Sequence, residues 1–156
     1  MIKLLNNPYF LFVSRCILAF IFIFSGIEKI ADPAGFSESI LNYKLLPESW
    51  VNLAGIILPW IELTAGLLLL FGISVKENAF IISSLLIIFI IAVGISIARG
   101  LNIDCGCFGT SGGTKVGFTK IGENILLLAL GFVLMIYNST LFSLSKTVET
   151  APRSNP

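Results

Sequence analysis

The chain contains no histidine. That removes His-ligated haem, Ser-His-Asp catalysis and His-containing zinc sites from consideration. Charge is scarce as well. Acidic and basic residues make up 12% of the 156 residues, about half the ~25% usual in a soluble domain. The net charge is +1 with no basic run, so no nucleic-acid partner is expected. Three cysteines are too few for a disulfide scaffold. What remains is apolar: 56% of the residues are hydrophobic, and the mean hydropathy is +0.96. The lipid bilayer is the expected surrounding, and the fold class is an all-α integral membrane bundle.

Charge-free stretches place the spans. Residues 78–98 lie between Glu77 and Arg99, and residues 124–145 between Glu123 and Lys146. Each is long enough to cross a bilayer as one helix, which takes about 20 residues. Two further apolar segments are interrupted, one by Arg15 and one by Glu62, and each spans only when its halves are joined. Four transmembrane helices are therefore expected at about 8–30, 51–73, 78–98 and 121–142. They form one domain over 1–144, followed by a polar tail over 145–156 expected to be disordered. The first segment reads as a retained span, because Glu28-Lys29-Ile30-Ala31-Asp32-Pro33 is a poor small-residue cleavage site.

Four spans put both termini on one side and the 31–50 and 99–120 loops on the other. Lys3, Arg15, Lys76, Lys146 and Arg153 fall on the first side. Lys29, Lys44, Arg99, Lys115 and Lys120 fall on the second. This equal split leaves the positive-inside rule without a direction.

Arg15 and Glu62 are the ionisable groups expected inside the spans. A charge in hydrocarbon costs several kcal/mol on insertion scales and calls for a partner. One reading pairs the two across helices. The other has Arg15 snorkel to the surface while Glu62 is protonated or bonded locally. Gly55, Pro59 and Gly66 share a face with Glu62 at helical spacing, and small residues there permit close helix packing.

Asp104-Cys105-Gly106-Cys107-Phe108-Gly109 follows the third span. Two thiols separated by one glycine can close a small, strained disulfide ring, and strained disulfides are the more oxidising and more often catalytic ones. Asp104 opposes thiolate formation, whereas Lys29, Arg99 and Lys115 favour it. Three readings stand side by side: a redox dithiol, a metal site with a thin ligand set and no histidine, and a structural or incidental pair. Cys16, near the opposite end of the first span, is too far to join them directly, because a disulfide needs Cα atoms within about 7 Å. It reads as a small buried hydrophobe.

Taken in order, these pieces resemble a known family. Arg15 is followed by Ser25-Gly26-Ile27-Glu28-Lys29-Ile30 and Asp32-Pro33-Ala34-Gly35-Phe36. Next come Tyr43-Lys44-Leu45-Leu46-Pro47, Leu58-Pro59-Trp60-Ile61-Glu62-Leu63 with Gly66, and Arg99 through Gly109. This set, covering about residues 10–130, resembles the DoxX-like membrane proteins and specifically their methylamine-utilisation MauE branch. Where the family often shows Arg-Asn at the start of the fourth helix, Glu123-Asn124 stands here.

The resemblance implies a four-helix bacterial inner-membrane protein with cytoplasmic termini and a periplasmic Cys-Gly-Cys loop. It further implies a link to disulfide formation in exported proteins, methylamine dehydrogenase maturation in particular. Cys105 and Cys107 would exchange disulfides, Lys29 and Arg99 would tune the thiolates, and Arg15 and Glu62 would hold two helices together. No cofactor or metal is fixed by the residues; quinone is the candidate membrane acceptor. An exported client protein or a larger membrane complex is the expected partner. The alternative from another class is a non-enzymatic subunit or assembly factor of such a complex.

Overall fold

The computed structural model describes residues 7–100 and 118–137. Cys105, Cys107 and the 145–156 tail lie outside these residues. Among the described residues the fold is all-helical, with five helices in chain order: α1 (Pro8–Ala31), α2 (Pro33–Asn42), α3 (Glu48–Leu70), α4 (Val75–Ala98) and α5 (Phe118–Ile136). Helices α1, α3 and α4 are long and apolar enough to cross a membrane, and residues Ile121–Ile136 of α5 form a shorter apolar helix. The chain is a multi-pass helical membrane bundle.

Local chemistry sets the helix ends. The Asn7 side chain accepts from the Tyr9 N–H at 3.0 Å, and Pro8 opens α1. Asp32 ends that helix and caps the next, accepting from the Gly35 N–H at 3.0 Å with Pro33 at the first position. An acceptor side chain followed by proline is a strong helix-start pair. The expected 31–50 loop therefore contains a helix.

Helix α3 runs three residues earlier than expected at both ends. Pro47 precedes it. Gly72, at φ 70°, lets the Ile73 N–H reach back to the Leu68 carbonyl at 2.9 Å, the six-to-one bond of a Schellman stop. The Asn78 side chain then seals the turn, donating to the Ile73 and Ser74 carbonyls at 2.8 and 3.0 Å.

Packing is pairwise: α1 lies mainly against α3, and α4 against α5. Leu18, Leu69, Ile82 and Leu134 are fully buried between them. Glycine fixes the α1–α3 register. A Cβ on Gly26 would sit 3.0 Å from both the Pro59 carbonyl oxygen and the Leu63 nitrogen. A Cβ on Gly66 would sit 3.1 Å from the Ile23 nitrogen and 3.2 Å from the Ala19 carbonyl oxygen. The two backbones touch at these points, as small residues allow in lipid. The outward stripe Val13, Ile17, Phe20, Phe24 and Ile27 is exposed on α1, the face that lipid covers.

Candidate functional site

The α1–α3 register decides where the charges meet. With Gly26 opposite Pro59 and Leu63, one helical turn brings Ser25 and Lys29 beside Glu62. The Lys29 ammonium donates to Glu62 Oε1 at 2.7 Å and Oε2 at 2.8 Å. The Ser25 hydroxyl donates to Oε2 at 3.3 Å. Lys29 is 3% exposed and Glu62 9%. Glu62 lies about 21 Å along α3 from Glu48 at 1.5 Å per residue, about two-thirds of the way along a helix of 23 residues.

This overturns the expected Arg15–Glu62 pair. Arg15 lies ten positions before Ser25, so ~15 Å along the axis from Glu62, beyond what the side chain bridges. Arg15 is instead wholly buried, with its guanidinium 5.1 Å from the Phe12 ring centroid. Lys29 was expected at the membrane surface. The first turns of α3, flanked by α2, extend past the end of α1, so Lys29 sits within the bundle. Phe36 of α2, 4% exposed, covers the ammonium at 4.9 Å from its ring centroid, a cation–π geometry.

Two cavities flank the ion pair. A small one of about 40 Å³ touches Ser25, Lys29, Glu62 and Asn124. Asn124 is 3% exposed, and among the described residues its Nδ2 meets no acceptor. A cavity of that size admits water, which needs only about 10–15 Å³ of accessible space. The larger, of about 360 Å³, lies under α2 between α3 and α4. Its walls include Phe36, Tyr43, Leu58, Phe89 and Ala92, with Lys29 and Glu62 again at one side. Ile88 and Ile91 line it too, and both are exposed on the lipid side of α4. Tyr43 stands edge-on to Phe89, with ring centroids 6.2 Å apart. Burial pushes its phenol up to about 12, because the low-dielectric surroundings disfavour the phenolate.

Arg99 lies exposed at the end of α4, its Nη1 3.5 Å from the Lys44 carbonyl oxygen. Lys29 and Arg99 are not brought together: one is held in the bundle by Glu62, the other is outside it. Cys16 is a half-buried free thiol in α1. Ser25, Phe36, Tyr43 and Asn124 were not singled out as site residues from the sequence. The available signal was Ser25 and Lys29 at i and i+4, one face of α1.

A polytopic helical membrane protein with an ion pair buried between its helices beside an apolar cavity is the class that this fold and site define. The family described as "Methylamine utilisation protein MauE" matches residues 7–137, and the chain belongs to it. Similar curated proteins carry the name "Methylamine utilization protein MauE". The one from Methylorubrum extorquens is 29% identical over 130 residues, covering 83% of this chain and 70% of its own. That from Paracoccus denitrificans is 27% identical over 135 residues, covering 86% and 73%. That from Methylophilus methylotrophus is 30% identical over 106 residues, covering 67% and 56%. No solved structure matches the chain.

Proposed function

We propose that the protein is an inner-membrane component of methylamine utilisation that supports disulfide formation in an exported protein. The observation that carries this reading is the MauE family match across residues 7–137, a stretch that includes Cys105 and Cys107. In the reaction, a Cys105–Cys107 disulfide accepts two electrons and two protons from a client dithiol. The client leaves with a disulfide, and the chain with two thiols. A quinone then takes the same two electrons and two protons, becomes a quinol and restores the disulfide. Arg99, six residues before Cys105, is the cation assigned to favour the thiolate; Lys29 is committed to Glu62. The termini are assigned to the cytoplasm and the 101–117 segment to the periplasm, where disulfides persist.

The test is alkylation and mass spectrometry of exported proteins from cells carrying the native chain or the Cys105→Ser/Cys107→Ser variant. The reading expects a Cys105–Cys107 disulfide in the native chain and accumulation of reduced client thiols in the variant cells. Normal client oxidation in the variant overturns it and favours the subunit or assembly-factor role.

A further inference from the structure

We infer that the cavity between α2, α3 and α4 binds one uncharged, membrane-soluble molecule with an apolar body and a carbonyl oxygen at its polar end, the carbonyl accepting from the Lys29 ammonium. The inference deepens the proposed function by giving the membrane acceptor a site, and in its choice of a quinone-like ligand it rests on that reading.

Several features define the ligand. The cavity measures about 360 Å³, within the ~300–1,000 Å³ of small-molecule sites. Its walls are almost entirely aliphatic and aromatic carbon, so the body of the occupant is apolar. Phe36, Tyr43 and Phe89 stand around it, and such rings favour a flat partner.

The charged groups in the lining are Lys29 and Glu62; Ser39 and Tyr43 add hydroxyls, and that of Ser39 donates to the Gly35 carbonyl at 3.0 Å. Glu62 balances the Lys29 charge at 2.7 Å, so the wall is dipolar without net charge, and a charged ligand would be left uncompensated in a low-dielectric site. An ammonium has three donors and no acceptor. Two of its hydrogen bonds go to the two Glu62 oxygens, which leaves one donor for a carbonyl.

The entrance faces the membrane. Ile88 is 64% and Ile91 55% exposed, both on the lipid side of α4 and both at the cavity rim. A molecule dissolved in the bilayer reaches the ion pair without crossing water. The small cavity beside the pair, with Ser25 and Asn124, provides hydrogen-bonding groups at the same charges. The two cavities share Lys29, Glu62, Leu85 and Phe89.

The experiment compares two probes on the purified full-length chain in nanodiscs: decyl-benzoquinone and decylbenzene, which share the decyl tail and a flat six-carbon ring, only the first carrying carbonyls. Binding is read by isothermal titration on the Cys105→Ser/Cys107→Ser variant, so the result does not depend on thiol chemistry. The quinone is expected to bind at least ten-fold more tightly than decylbenzene. The Lys29→Met/Glu62→Leu double variant, which removes the pair without stranding a charge, should erase that preference. Ala92→Phe narrows the cavity and should weaken binding of both probes at least ten-fold; if it does not yield a monodisperse protein, Ile88→Trp at the rim serves the same purpose.

Equal binding of the two probes overturns the inference, as does quinone binding unchanged by the cavity-filling variants. A phospholipid also carries ester carbonyls, and native mass spectrometry separates the two sources: a retained phospholipid that the quinone does not displace overturns it too. Quinone binding with normal client oxidation in the cysteine variant leaves the site standing and removes only the thiol reading.

Discussion

At the scale of single residues, Lys29 and Glu62 depend on each other. Either charge alone, buried in the bundle, would be uncompensated, and removing one partner of a buried pair typically costs 3–5 kcal/mol. Lys29→Met and Glu62→Leu should each destabilise the protein by about that much. The double variant should cost less than either, because apolar replacement of a whole buried pair is often close to neutral. Chemical unfolding in detergent, run as a double-mutant cycle, measures the difference. Additive losses would show that the pair carries no coupling.

Tyr43 offers a pH-dependent signal. Its phenol titrates at about 12 in the folded protein against an ordinary 10.0. The unfolded chain therefore releases this proton before the folded one does. Stability is unaffected below about pH 10 and falls as pH rises toward 12. Tyr43→Phe should remove that fall and an ionisation step near pH 12, followed by phenolate absorbance. Both signals are specific to Tyr43 because they arise from its burial against Phe89 and Val93 of α4.

At the scale of elements, two glycines decide how closely α1 and α3 approach. Gly66→Ala places a methyl 3.0–3.2 Å from Ile23 and from the Ala19 carbonyl oxygen. Backbone does not yield as a side chain tip does, so a loss of about 1–3 kcal/mol is expected from overpacking. Gly94, by contrast, has nothing within 4 Å of an added Cβ. Gly94→Ala should be neutral or stabilising by up to about 1 kcal/mol through helix propensity. Thermal unfolding of the two variants side by side tests the contrast. The same logic applies to α2, whose start rests on one acceptor. Asp32→Ala removes the bond to the Gly35 N–H and should cost about 1 kcal/mol. Because α2 lines the cavity through Phe36 and Ile40, with Tyr43 just after it, that variant should also weaken ligand binding there.

These elements show why some of the architecture was legible and some was not. A stretch such as 78–98 declares itself a span because a charged residue there is expensive wherever the helix packs. The Asp32-Pro33 start of α2 was equally written in the sequence, but a short helix beside the membrane carries no hydropathy signal, so the segment read as a loop. The Arg15–Glu62 expectation failed for a different reason. Pairing Arg15 with Glu62 requires the ends of α1 and α3 to lie nearly level. Gly26 and Gly66 set a stagger that only the packed pair reveals, and it brings Lys29, not Arg15, to Glu62.

At the scale of the whole molecule, alternate helices run in opposite directions. The end of α1, the start of α3 and the end of α4 gather at one end, where the Arg99 side chain reaches the Lys44 carbonyl. The α3–α4 turn with Lys76 lies at the other. In a cysteine-free background, Lys44→Cys and Arg99→Cys should react with an impermeant thiol reagent from one side of intact membranes, and Lys76→Cys only from the opposite side. Labelling of Lys44→Cys and Lys76→Cys from the same side would contradict the bundle topology. Reaction of the first two from outside the cell would fit the orientation assigned in the proposed function.

The sequence by itself determined that the chain lives in lipid, roughly where it crosses, and that its polar chemistry is confined to a few positions. Burying charge in hydrocarbon is costly, so composition alone carries that information. It also carried the ordered residues that mark the family. Which charges meet was decided by tertiary structure, because pairing depends on helix register and stagger, and these follow from backbone contacts at Gly26 and Gly66. The same packing placed an apolar cavity beside the Lys29–Glu62 pair, with α2 folded over it.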